Sequence, residues 1–282
     1  METHPVFPAE LEREIFETAA RLHPSMIPVL LRIARRTLLW IEPLLYEVVD
    51  LTTFSCTHLA VALLRGATSN PPAPFLRGVR HVLLNGADVW SFGQTCTILT
   101  LCTGVIDFAY GGRLDHTCLP ILSTLPLRRL SVHLGPLFEG PDRVDLAHPL
   151  FASLTHLDVY DPRSDFYGHV ALATALTHLR MPGGVHLAWH MVDSVLAACP
   201  RLTVLVASVA HLPESSANQW VEHIPITDVR FVVQMYSNYA ADWVAAAHGR
   251  PDFWSVAEDF VARKRRKEID ASILCLFRPR SP

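Results

Sequence analysis

After residue 75 a six-residue pattern, apolar-x-x-apolar-x-apolar, returns seven times, and this recurrence constrains the fold more than any other feature. It reads Val79-x-x-Val82-x-Leu84, Val105-x-x-Phe108-x-Tyr110, Leu127-x-x-Leu130-x-Val132 and Leu154-x-x-Leu157-x-Val159. It continues as Leu176-x-x-Leu179-x-Met181, Leu202-x-x-Leu205-x-Ala207 and Ile226-x-x-Val229-x-Phe231, with starts 22 to 27 residues apart. Apolar residues two apart point to one face of a strand. The apolar residue three positions earlier fills the turn that leads into it. The spacing therefore predicts parallel strands near residues 80–84, 106–110, 128–132, 155–159, 177–181, 203–207 and 227–231, each stacked beside the next.

A period near 20–29 residues is that of leucine-rich repeats, whose units bury a core only by stacking. The regular asparagine of such repeats is mostly missing, with Asn85 at a comparable place once. The fold expected is thus α/β, an irregular leucine-rich-repeat-like solenoid over residues 51–237. Between the strands, His58–Gly66, Val89–Leu101, His116–Thr124, Ala188–Cys199 and Glu214–His223 read as helical runs, several closed by Pro or Gly. Residues 238–282 differ. Trp243, Val244 and Ala247, then Phe253, Trp254, Ala257, Phe260 and Val261, are spaced as in two helices broken at Gly249-Arg250-Pro251. A stacked array needs an end cover with one polar side, and this pair is expected to be that cap, followed by a tail.

Residues 1–50 form a separate module. Pro8 opens a run with Glu10 and Glu12 in its first turn, which suits a helix N-terminus, and Leu11, Ile15 and Phe16 fall on one face. A break at His23-Pro24 precedes Val29-Leu30 and Ile33-Ala34, then Leu38-Leu39-Trp40; Leu44 to Val49 has strand character. Phe7-Pro8-Ala9-Glu10-Leu11, Ile15-Phe16, Ile33-Ala34-Arg35-Arg36 and Trp40-Ile41-Glu42-Pro43-Leu44-Leu45-Tyr46 together resemble the F-box-like module of many fungal proteins, where it stands before leucine-rich-repeat-like solenoids. The resemblance covers the first 45 residues or so; the remainder matches in organisation only. It implies a three-helix unit docking onto the Skp adaptor of a cullin-based ubiquitin ligase, with Phe7, Pro8, Leu11, Ile15 and Ile33 facing the adaptor. The family usually begins Leu-Pro, where this chain has Phe7-Pro8, and usually has Trp where Thr37 stands. The other reading of these residues is a plain N-terminal cap over the first repeat.

Strand alternation assigns a second surface. Residues flanking the inward pair point to the concave face of the sheet. They are His81, Asn85, Asp107, Arg129, His133, His156, Asp158, Tyr160, His178, Arg180, Asp228 and Arg230, a polar and aromatic set of the kind an interaction surface uses. An unknown protein substrate is expected there, above all at Arg129, His133, His156, Asp158, Tyr160, His178, Arg180 and Arg230. The alternatives are a substrate receptor of such a ligase and a stand-alone scaffold with no ligase link.

Catalytic chemistry is not evident. Of 15 histidines, His186 and His190 are four apart but lack the Glu of HExxH, and neither GxSxG nor GxxxxGK occurs. Asp115-His116-x-Cys118 has the makings of a thiol site with no third group placed by sequence. The expectation is no enzyme activity, no cofactor and no metal. Six cysteines form no CxxC pair, and the net charge of −3 favours neither nucleic acid nor an anionic membrane. Residues 89–106 carry no charge, but their Ser, Thr and Gln content fits a buried helix better than a membrane span. Arginine outnumbers lysine 22 to 2, and both lysines, Lys264 and Lys267, lie in the run Arg263-Lys264-Arg265-Arg266-Lys267. That run reads as a solvated helix end or a nuclear signal, and the expected location is cytoplasmic or nuclear.

Overall fold

The computed structural model describes residues 7–52, 57–69, 71–84, 91–161, 165–183, 188–210, 224–236 and 238–277. The chain is α/β, and its described residues build a nine-stranded parallel sheet whose strand order is the chain order. The strands are β1 (Val48–Leu51), β2 (His81–Leu84), β3 (Asp107–Tyr110), β4 (Arg129–Val132), β5 (His156–Val159), β6 (His178–Pro182), β7 (Val204–Ala210), β8 (Phe231–Tyr236) and β9 (Cys275–Phe277). The helices are α1 (Ala9–Leu22), α2 (Ile27–Leu30), α3 (Arg35–Ile41), α4 (Thr57–Thr68), α5 (Phe92–Leu101), α6 (Leu119–Thr124), α7 (Leu134–Leu137), α8 (Trp189–Ala198), α9 (Tyr239–Ala247) and α10 (Phe253–Arg265).

The register explains the repeat. Val82, Phe108, Leu130, Leu157, Leu179, Leu205 and Phe231 are cross-strand partners in one continuous rung. All are buried, and they join Leu84, Tyr110, Val132, Val159, Met181 and Ala207 in the main core. Leu157 and Leu179 therefore face a common interior. α4, α5, α6, α8 and short 3-10 turns such as Asp165–Leu172 cover this side. Six expected strands start within a residue of their place. The seventh is displaced: Leu205 pairs with Phe231, so the strand begins at Phe231 and not near residue 227. Val229 and Phe231 are two apart and both apolar, so either frame keeps the apolar residues on one face. The expected helix over Glu214–His223, together with Asn85 and His186, lies outside the described residues.

The N-terminal helices form a small core of their own from Ala20, Ile27, Leu30 and Ile41, with Phe16 and Trp40 against it. Thr37 is buried and caps α3: its hydroxyl donates to the Ala34 carbonyl (2.7 Å) and accepts from the Ala34 N–H (2.9 Å). Arg36 of α3 reaches Glu12 of α1 at 2.6 Å. A 3-10 turn, Glu42–Tyr46, joins this unit to the sheet, so of the strand character expected over Leu44 to Val49 only Val48 and Val49 enter a strand, β1; Tyr46 stacks on Phe75 at 4.0 Å. A Cβ on Gly78 would stand 2.7 Å from that of Pro43, so only glycine permits the close approach.

The C-terminal helices depart from the end-cap expectation. They lie on the other face of the sheet and make it a middle layer. Trp243 of α9 packs on Leu83 and Ala109, and its indole N–H donates to Asp107 (3.2 Å). Phe253, Trp254, Ala257, Phe260 and Val261 of α10 pack on Val204, Val206 and Val232. Gly249, at φ 69°, makes the turn between them, and the Asp252 carboxylate caps α10 by accepting from the Ser255 N–H (2.8 Å).

Candidate functional site

Two surfaces were expected from the sequence, and the structure treats them oppositely. On the N-terminal unit, α1 carries apolar residues on two sides. Phe16 and Ala20 turn inward, whereas Phe7, Leu11 and Ile15 are 52%, 48% and 53% exposed. They line an open groove of about 530 Å³ with Ala19 and Leu22, edged by Glu14. Pro8 is exposed beside it. Ile33 is also exposed, but it does not line this groove. Met26, Val29 and Leu39 are exposed as well and were missed by sequence reasoning. Their signal is that α2, the turn Pro24–Met26 before it and α3 are too short to bury every apolar residue they carry.

The second surface is not an open concave face. Its middle is polar, and α9 and α10 close over it. Asp158, His178 and Arg180 are buried, which corrects the expectation that they face solvent. Arg180 donates to Asp158 (2.6 Å) and Ser208 (2.8 Å), and its guanidinium lies over the rings of Tyr239 and Phe253 at 5.3 and 4.9 Å. Burial pushes the Asp158 carboxyl upward against the pull of Arg180. His156 and His178 stack in parallel at 4.1 Å, and both rings meet Trp254 edge-on. His178 pairs with Glu258 of α10 at 2.9 Å. Burial, then His178 and Arg129, holds the His156 imidazole down at about 2, and burial lowers His178 despite Glu258.

Arg129 reaches Asp252 at the start of α10 (2.9 Å). The cavity between these groups is about 10 Å³, no more than one water fills. His133 and Tyr160 are partly exposed at the margin and meet edge-on at 5.4 Å. Burial lowers His133, with Asp161 opposing. Arg230 is elsewhere. It grips Asp228 (2.7 Å) and donates to the carbonyls of Leu196 and Cys199, closing the C-terminal end of α8. The shift of the seventh rung from Val229 to Phe231 is the reason: Asp228 and Arg230 belong to the turn that leads into β8.

The basic run is partly internal. Lys264 is buried, its ammonium donating to the Phe231 carbonyl (3.3 Å) over the Phe260 ring, and burial lowers it to about 8. Arg263 and Arg266 turn to Glu268. This is a helix C-terminus, where cations complement the dipole. No group of three His, Cys, Asp or Glu suited to a metal ion occurs among the described residues, and none of their helices is long and apolar enough to cross a membrane. No protein-family model and no curated protein matches the chain.

Proposed function

We propose that this chain is a non-catalytic protein–protein interaction module in which an F-box-like helical unit docks a Skp-type adaptor and an irregular leucine-rich-repeat-like solenoid carries that unit. One observation supports it most: the Phe7, Leu11 and Ile15 row is about half exposed and lines an open groove. A plain cap would turn the same row onto the first strand. Apolar rows left open by a monomer mark partner sites, and each such side chain contributes roughly 1.5–3 kcal/mol when fully covered. Thr37 does not count against the reading, because its buried hydroxyl takes over a structural task at the start of α3. Adaptor binding would place the chain in the cytoplasm or nucleus. A protein substrate is part of the proposal, but the middle of the face first expected to hold it is covered by α9 and α10.

The test is co-elution of the full chain with a purified Skp-type adaptor. The wild-type chain should form the complex, and Leu11→Asp with Ile15→Asp should abolish it while leaving the thermal transition nearly in place. No complex with the wild type would leave a stand-alone binding solenoid. A large loss of stability in the double variant would make the unit a cap.

A further inference from the structure

The motif Asp115-His116-x-Cys118 lacked a third group in the sequence. The fold supplies one, and it is not the histidine, which turns to Glu139 at 3.5 Å. The Cys96 sulfur of α5 lies 3.3 Å from the Cys118 sulfur, at the turn that leads into α6. Both are free thiols. We propose that Cys96 and Cys118 are a modification site, a dithiol that closes reversibly to a disulfide and ties together the outer elements of two successive repeats.

Three observations carry this. A disulfide needs its sulfurs about 2.05 Å apart, and the Cys96 and Cys118 sulfurs already touch at 3.3 Å. The two thiols also differ in access: Cys96 is partly exposed, whereas Cys118 is fully buried. A reagent from solution therefore meets Cys96 first. Finally, Cys102 and Cys199 are free and buried with no sulfur contact among the described residues, so the arrangement is not a general property of the cysteines in this core. Burial pushes the Cys118 thiol up, and the hydrogen bond and charge of Cys96 push it further. That second contribution disappears once Cys96 has been derivatised.

The oxidant is a low-molecular-weight disulfide of the glutathione class. The Cys96 thiolate attacks one of its sulfurs, giving a mixed disulfide and releasing one thiolate, which takes the proton Cys96 lost. The Cys118 thiolate then attacks the Cys96 sulfur. The second thiolate leaves with the Cys118 proton. Two protein thiols are oxidised by two electrons and one small disulfide is reduced to two thiols.

The experiment incubates the full chain in excess oxidised glutathione, alkylates the remaining thiols and maps the peptides by mass. The wild type should lose about 2 Da relative to the reduced chain and give one cross-linked peptide pair holding Cys96 and Cys118, reversed by reduced glutathione. Cys118→Ser should stop at one glutathione on Cys96; Cys96→Ser should leave Cys118 unmodified. Both thiols staying open to alkylation in the folded wild type, or a cross-link joining other cysteines, overturns the proposal. Where circular dichroism finds a variant unfolded, the wild-type peptide map alone decides.

Discussion

The groove of α1 and the middle of the sheet's second face invert the usual relation between polarity and exposure. Leu11 and Ile15 are about half in solvent; Asp158, His178 and Arg180 are almost wholly out of it. The difference lies in what the chain brings back to each place. α10 returns with Asp252, Trp254 and Glu258, and α9 with Tyr239, so the polar rungs of β4 to β6 meet matching groups. Nothing among the described residues returns to the Leu11 row. Buried polar groups are tolerated where their hydrogen bonds are met, and under the proposed function the open apolar row is the part the adaptor would cover.

The largest effect that would break this comparison is expected at Arg180. Arg180→Ala removes the charge partner of buried Asp158, leaving it the hydroxyls of Ser131 and Tyr239, and should cost about 3–5 kcal/mol in chemical denaturation. A change within about 0.5 kcal/mol, as for exposed sites, would mean the face is open. Leu157→Ala gives the scale from the opposite side of the sheet, about 2–5 kcal/mol for a buried leucine. A smaller effect comes from pH. Unfolded histidine takes its proton near pH 6.5, whereas folded His156 resists until about 2. The unfolded chain therefore binds more protons across that window, and stability falls as pH drops below about 6.5. Roughly 1 kcal/mol should go between about pH 6.5 and 5.5 on account of His156, and His156→Gln should flatten that slope. An unchanged slope would mean that the stacked rings are hydrated. The smallest effect on stability belongs to the N-terminal row: Leu11→Asp with Ile15→Asp should stay within about 0.5 kcal/mol per site while removing adaptor binding.

Much of the sheet was legible because the repeat is a packing rule. Val82 through Leu205 each had to reach the same rung, and they do. The seventh frame was ambiguous because its apolar residues share parity. β9 falls outside the period and is three residues long, too short to announce itself. The two C-terminal helices were legible as helices, but an apolar stripe says only that a face is buried, not against what. Alternation put His156, Asp158, His178 and Arg180 on the correct side of the sheet; polarity then misled about exposure, because their partners lie 22 to 80 residues away in sequence or act through rings. In the N-terminal unit the apolar residues of α1 read as one stripe, and only the packing of α2 and α3 separates Phe16 from Leu11 and Ile15.

The bond from Trp243 to Asp107 spans 136 positions of chain, and that from Arg129 to Asp252 spans 123. An array in which each strand touches only its neighbours can unzip from either end, one repeat at a time. Here the last helices are fastened to β2, β3 and β4 as well as to β7 and β8. Fraying at one end must therefore release contacts near the other, which turns a string of locally coupled units into a single cooperative one. The cost is kinetic: contacts this distant in sequence close late and slow the approach to the native state.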